Sequence, residues 1–180
     1  MPFFPTPIEG CIIFEPQVWE DHRGYFFESY NRRTFEAAGI SADFVQDNQA
    51  RSTYGVLRGL HFQKPPFEQA KLVRVTEGAV FDVAVDLRPD SPTRGRWYGI
   101  ELSAENKRQL FVPRGFAHGY VVLSPVAEFC YKCDNFYAKD HDAGIRFDDP
   151  TLQIEWPIDL QDAVLSEKDL ALPGWEDMPA

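Results

Sequence analysis

The chain has 180 residues, 44% of them hydrophobic, which is enough for one compact domain with its own core. No apolar run is longer than Cys11–Phe14, which argues against a membrane-spanning helix or a signal-peptide core. The formal net charge of −10 argues against a duplex nucleic acid or a membrane surface as partner, and three cysteines (Cys11, Cys130 and Cys133) cannot all pair, which points to reduced thiols in the cytoplasm.

In chain order, Asn31–Ala38 reads as a short helix that ends at Gly39. Gly55–His61 reads as a strand. Lys71–Thr76 and Ala79–Leu87 alternate on either side of Glu77-Gly78, which predicts a hairpin. Arg96–Leu102, Gln109–Val112, Phe116–Leu123 and Ala127–Tyr137 are further strands, punctuated by Pro89, Pro92, Gly95, Pro113, Gly115 and Pro125. Ser166–Leu170 opens a second short helix, with Ser166 as cap and Asp169 three residues on. Many short strands and few helical signals predict an all-β sandwich or barrel.

Several side chains sit oddly in such a frame. Lys71 shares a face with Val73 and Val75, so it either points into the barrel or reaches solvent at the strand start. Arg58 and His61 fall on opposite faces of a regular strand, but a bulge at Gly59 would turn both to one side. Phe116, His118, Tyr120 and Val122 share a face, as do Phe129, Tyr131 and Cys133. A core histidine and a locally bonded core tyrosine are the plain readings. A histidine base, a tyrosine acid and a lysine at a developing oxyanion would instead make a proton-transfer site. Ten of the 18 basic residues lie between Arg51 and Arg108, which places an anion there. Metal binding is not expected: His61-Phe62-Gln63 lacks the His-x-His of metal-binding barrels, and His22, His61, His118 and His141 are scattered.

The motifs Asp21-His-Arg-Gly-Tyr-Phe-Phe-Glu28, Phe44-Val-Gln-Asp-Asn48, Gly55-Val-Leu-Arg-Gly-Leu-His61, Lys71-Leu-Val-Arg-Val75, Asp82-Val-Ala-Val-Asp86, Pro113-Arg-Gly-Phe-Ala-His-Gly119, Tyr131-Lys-Cys133 and Leu165-Ser-Glu-Lys-Asp169 run through nearly the whole chain. In this order they resemble the dTDP-4-dehydrorhamnose 3,5-epimerases. The resemblance implies a single cupin-type jelly-roll domain over residues 1–180 and a homodimer whose N-terminal strands cross to the partner. It implies a dTDP-4-keto-6-deoxy sugar as substrate and no cofactor, because the ketone is its own electron sink. By the same resemblance His61 is the base, Asp169 its orienting carboxylate, Tyr131 the acid on the opposite face, and Lys71 the cation at the carbon-4 oxygen. Arg23, Phe26, Glu28, Gln46, Asp47, Asn48, Arg58, His118, Asp142 and Lys168 are the implied substrate contacts. Trp19 and Tyr137 are the implied stacking partners of thymine. Ala50 stands where the family often has a serine, and Asp142 where it usually has a glutamate. Three other readings remain: an epimerase acting at one carbon only, a non-catalytic sugar-nucleotide binder, and a metal-dependent oxygenase.

Overall fold

The computed structural model describes residues 2–178, so the ends of the expected 1–180 domain lie outside the described residues. The strands are β1 (Phe3–Pro5), β2 (Ile12–Phe14), β3 (Trp19–Asp21), β4 (Gly24–Phe26), β5 (Gln46–Thr53), β6 (Leu57–Gln63), β7 (Lys71–Glu77), β8 (Ala79–Asp86), β9 (Trp97–Ser103), β10 (Gln109–Val112), β11 (Phe116–Val122), β12 (Val126–Cys133) and β13 (Asp142–Gly144). Two short helices accompany them, α1 (Arg32–Ala37) and α2 (Glu167–Leu170). One antiparallel sheet has the order β1-β2-β10-β7-β12-β5, and the second has β13-β6-β11-β8-β9. The expected all-β jelly roll is the observed architecture. Among the described residues β3 and β4 pair only with each other, as a separate ribbon.

Alternation explains the layers. Val73, Val75, Val80, Ala84, Leu102, Leu110, Phe116, Tyr120 and Phe129 face one another between the sheets and form the central core. The opposite face of the second sheet carries Leu57, Leu60, Val83, Val85, Ala117 and Val121, covered by the C-terminal segment through Ile145, Leu152 and Trp156. The outer face of the first sheet presents Leu72 and Phe111, capped by Phe14, Phe35 of α1 and Ile40. Asn31 caps α1 by accepting from the Arg33 amide, and the turn leaves through Gly39 at φ +84°, as the sequence predicts.

The expected hairpin at Glu77-Gly78 is not one. β7 belongs to the first sheet and β8 to the second, so this turn is a corner between sheets. Gly78 sits there at φ +72°, and a Cβ on it would lie 2.0 Å from the Val126 carbonyl oxygen. The tight turn residues that make a hairpin also serve a chain that must change sheets. β12 stops at Cys133 rather than Tyr137: the Asp134 amide still donates to the Ala70 carbonyl, but the Asp134 side chain, which also pairs with Arg114, accepts from the Ala70 amide.

Candidate active site

The site begins with a bulge. Across the β6–β11 ladder, His61 pairs with His118 and Arg58 with Tyr120, so three steps on β6 match two on β11. The extra residue reverses the pleat, and Arg58 and His61 come to the same side of the sheet. Gly59 allows it: at φ +126°, a Cβ here would stand 2.6 Å from the Gly119 Cα. The sequence expectation for Gly59 is met.

The first sheet supplies the facing wall by register. Gln46, Cys133 and Lys71 form one row across β5, β12 and β7, and Asn48, Tyr131 and Val73 form the next. Side chains in a cross-strand row point the same way. With His61 from the second sheet, these rows enclose a cleft of about 160 Å³, lined by Gln46, Asn48, His61, Lys71, Tyr131 and Cys133, with Tyr137, Asp142 and Lys168 at its rim.

His61 Nε2 lies 2.6 Å from Asp169 Oδ1, and the two residues are 108 positions apart in the chain. A carboxylate can only accept, so the shared proton sits on Nε2 and Nδ1 keeps the lone pair. Asp169 is held in turn by its own helix cap. Ser166 Oγ donates to Asp169 Oδ2 at 2.6 Å and accepts from the Asp169 amide at 3.1 Å. Burial pulls the His61 pKa below its ordinary 6.5, against the opposing pull of Asp169, so the imidazole is an uncharged base at neutral pH. Burial likewise lowers Lys71 from 10.5, with Cys133, Asp82 and Asp142 opposing. Its ammonium lies 6.0 Å from the Tyr131 ring centre. Burial raises Tyr131 above 10.0, which keeps its phenol protonated.

The other expected contacts divide. Gln46, Asn48, Tyr137, Asp142 and Lys168 line the cleft with His61, Lys71 and Tyr131. Tyr137 Oη donates to Asp142 Oδ2 at 2.9 Å, and Lys168 pairs with the same carboxylate oxygen. Arg58 shares the His61 face but reaches across to the first sheet, donating to Ser52 Oγ of β5 at 3.1 Å. Asp47 is not brought to the cleft: strand alternation sends it outward, where it pairs with Lys132. His118 is buried and bonded to Asp82 at 2.9 Å, beside His61 across the ladder and outside the cleft lining. An aspartate within an apolar strand, as in Asp82-Val-Ala-Val-Asp86, was the signal for such a partner. Trp19, Arg23, Phe26 and Glu28 are also not brought to this cleft. They lie on or beside the exposed β3–β4 ribbon, where Arg23 bonds Asp21 and Glu28 accepts from Asn31. Gln63, Gln69, Phe62 and Cys133 line the cleft without having been expected there.

Residues 5–177 match the family model described as dTDP-4-dehydrorhamnose 3,5-epimerase. The chain is 60% identical over 164 residues to the dTDP-4-dehydrorhamnose 3,5-epimerase of Pseudomonas aeruginosa, covering 90% of this chain and 89% of that one. It superimposes with a TM-score of 0.95, at 47% identity, on the dTDP-6-deoxy-D-glucose-3,5-epimerase of Legionella pneumophila in complex with dTDP-4-keto-L-rhamnose, covering 98% and 94% of the two chains. It is also similar, at 35% identity and a TM-score of 0.88, to a 3'-monoepimerase of Streptomyces bikiniensis in complex with dTDP-quinovose, covering 94% and 86%. A histidine–aspartate base in one sheet, a phenol and an ammonium in the other, and matches of this extent have one common meaning: the chain belongs to the dTDP-4-dehydrorhamnose 3,5-epimerase family.

Proposed function

We propose that the protein inverts carbons 3 and 5 of dTDP-4-dehydro-6-deoxy-D-glucose to give dTDP-4-dehydro-L-rhamnose. The observation that carries the reading is the placement of an uncharged base, His61, and a protonated acid, Tyr131, on different sheets flanking one cleft. Nδ1 of His61 takes the proton from the carbon beside the ketone. The electron pair moves onto the carbon-4 oxygen, where Lys71 balances the charge. Tyr131 returns a proton to the opposite face, which inverts the carbon. Exchange with solvent resets both groups, and the sequence repeats at the second carbon. Asp169 fixes the imidazole and stabilises its charged form. No electron sink beyond the ketone is required.

The identity of 60% to a 3,5-epimerase against 35% to the monoepimerase favours action at both carbons. Turnover in heavy water with NMR readout tests this. Deuterium is expected at carbons 3 and 5 with inversion at each; label at one carbon means a single-site enzyme, and label at neither overturns the reading. In Tyr131→Phe, hydrogen exchange should outrun inversion, because His61 and Lys71 still form the enolate while the opposite-face proton is missing. Equal loss of both would remove Tyr131 from that role.

We further propose a cytoplasmic homodimer, in keeping with the free thiols of Cys11, Cys130 and Cys133. Among the described residues the β3–β4 ribbon pairs with no other strand, and Trp19, Tyr25 and Phe26 on it are exposed. In a dimer it would bring Trp19, Arg23, Phe26 and Glu28 to the partner's cleft, where an arginine suits the diphosphate. Sedimentation at twice the 20.6 kDa chain mass checks this, and a fully active monomer contradicts it.

A further inference from the structure

Tyr137 lies in no strand, and its ring is more than half exposed at the rim of the cleft. An aromatic on a free loop would have to be ordered at each binding event. Here the loop backbone is held by two glutamines from opposite sheets. The Tyr137 amide donates to Gln46 Oε1 of β5 at 3.1 Å, and the Ala138 amide donates to Gln63 Oε1 of β6 at 2.6 Å. Gln63 Nε2 donates to the Phe136 carbonyl at 3.2 Å and to the Phe67 carbonyl at 2.6 Å. Gln63 is buried, and both its donor nitrogen and its acceptor oxygen are engaged by backbone. Both N–H groups are committed to the protein's own loops. It lines the cleft, yet its polar atoms serve residues 67 and 136–138.

We propose that Gln63 is a positioning residue. Its buried amide fixes the 136–138 backbone, with Gln46 as the second arm, so that the Tyr137 ring stands ready as a platform for the flat base of a nucleoside diphosphate. This rests on the reading that a nucleotide sugar occupies the cleft. Prior ordering spares the ligand the entropy of fixing the loop, so the clamp acts on affinity for the nucleoside end and not on proton transfer.

The test compares thymidine diphosphate with inorganic pyrophosphate by titration calorimetry on the full chain. Gln63→Leu should weaken thymidine diphosphate about tenfold and leave pyrophosphate unchanged, because only the former carries a base. KM should rise by a similar factor at constant kcat. Gln63→Glu keeps the acceptor for Ala138 but sets a carboxylate oxygen against the Phe67 and Phe136 carbonyls, so it should weaken thymidine diphosphate at least as much; it carries the same comparison if the leucine variant fails to fold. In a Tyr137→Ala background, Gln63→Leu should cost nothing further. Equal weakening of both ligands, a fall in kcat at constant KM, or full additivity with Tyr137→Ala would overturn the proposal. If the wild-type chain binds no thymidine diphosphate, the functional reading falls and this one with it. If Tyr137→Ala weakens binding while neither Gln63 variant does, only the clamp falls.

Discussion

The two ends of the barrel interior are made by the same strands and have opposite character. β7 begins with Lys71 at the cleft and continues through Val73 to Val75 in the core. β12 runs from the core residues Ala127 and Phe129 to Tyr131 and Cys133. β5 presents Gln46 and Asn48 at one end and Ala50 and Ser52 at the other. At the closed end, side chains such as Val80 and Leu102 are fully buried. At the open end the same pleat delivers amides, an ammonium, a phenol and an imidazole. A strand thus carries stability and chemistry on one face, separated by about two alternations, and the site is stiffened by the packed end beneath it.

Substitutions should separate the two ends. The largest effect is expected at His61: His61→Ala should lower kcat by about 10²–10⁴-fold with the fold intact, and Asp169→Ala by part of that range, because the base remains without its orienter. Steady-state kinetics beside a thermal melt reads both, and a raised KM at unchanged kcat would make Asp169 a binding residue instead. Leu102→Ala at the closed end should do the reverse. It should cost about 2–5 kcal/mol of stability in urea unfolding. Its kcat per folded molecule should stay within about twofold of the wild type. A comparable loss of kcat would show that the ends are not separable. The mildest test is pH. His61 must be neutral, and burial holds its pKa below 6.5, so the acid limb of kcat/KM should lie below that value. Lys71 must be charged, and burial holds it below 10.5, so activity should fall before that pH on the alkaline side. Lys71→Arg, which stays charged throughout, should move the alkaline limb upward.

The closed end was the more legible in sequence. Inward parity of Val73, Val75, Tyr120, Val122 and Phe129 follows from alternation alone, and it also carried Lys71 and Tyr131 to the cleft face. Gly59, flanked by two costly side chains, marked the bulge. β5 escaped notice as a strand because its inward residues are Gln46, Asn48, Ala50 and Ser52, so it shows no hydrophobic period. What makes it useful to a polar ligand is what hides it. Asp47 was assigned with its neighbours on a motif that ignores the pleat, which turns every second residue away. His118 and Asp82 satisfy each other across two strands, a pairing that sequence distance conceals. Motif order likewise gathered Trp19, Arg23, Phe26 and Glu28 with His61, whereas one chain folds them onto a ribbon of their own.

The base pair of His61 and Asp169 has a consequence for the order in which the protein matures. Every strand of both sheets precedes Asp169 in the chain, and synthesis runs from the N-terminus. The carboxylate arrives on a four-residue helix that is anchored by Val164, whose backbone joins Val56 and Leu57 beside the cleft strand. The barrel's hydrogen-bonded framework is therefore fully encoded before the last part of its proton-transfer machinery leaves the ribosome. A ribosome that stops short of Ser166 would release the strands of both sheets with His61 lacking its carboxylate partner.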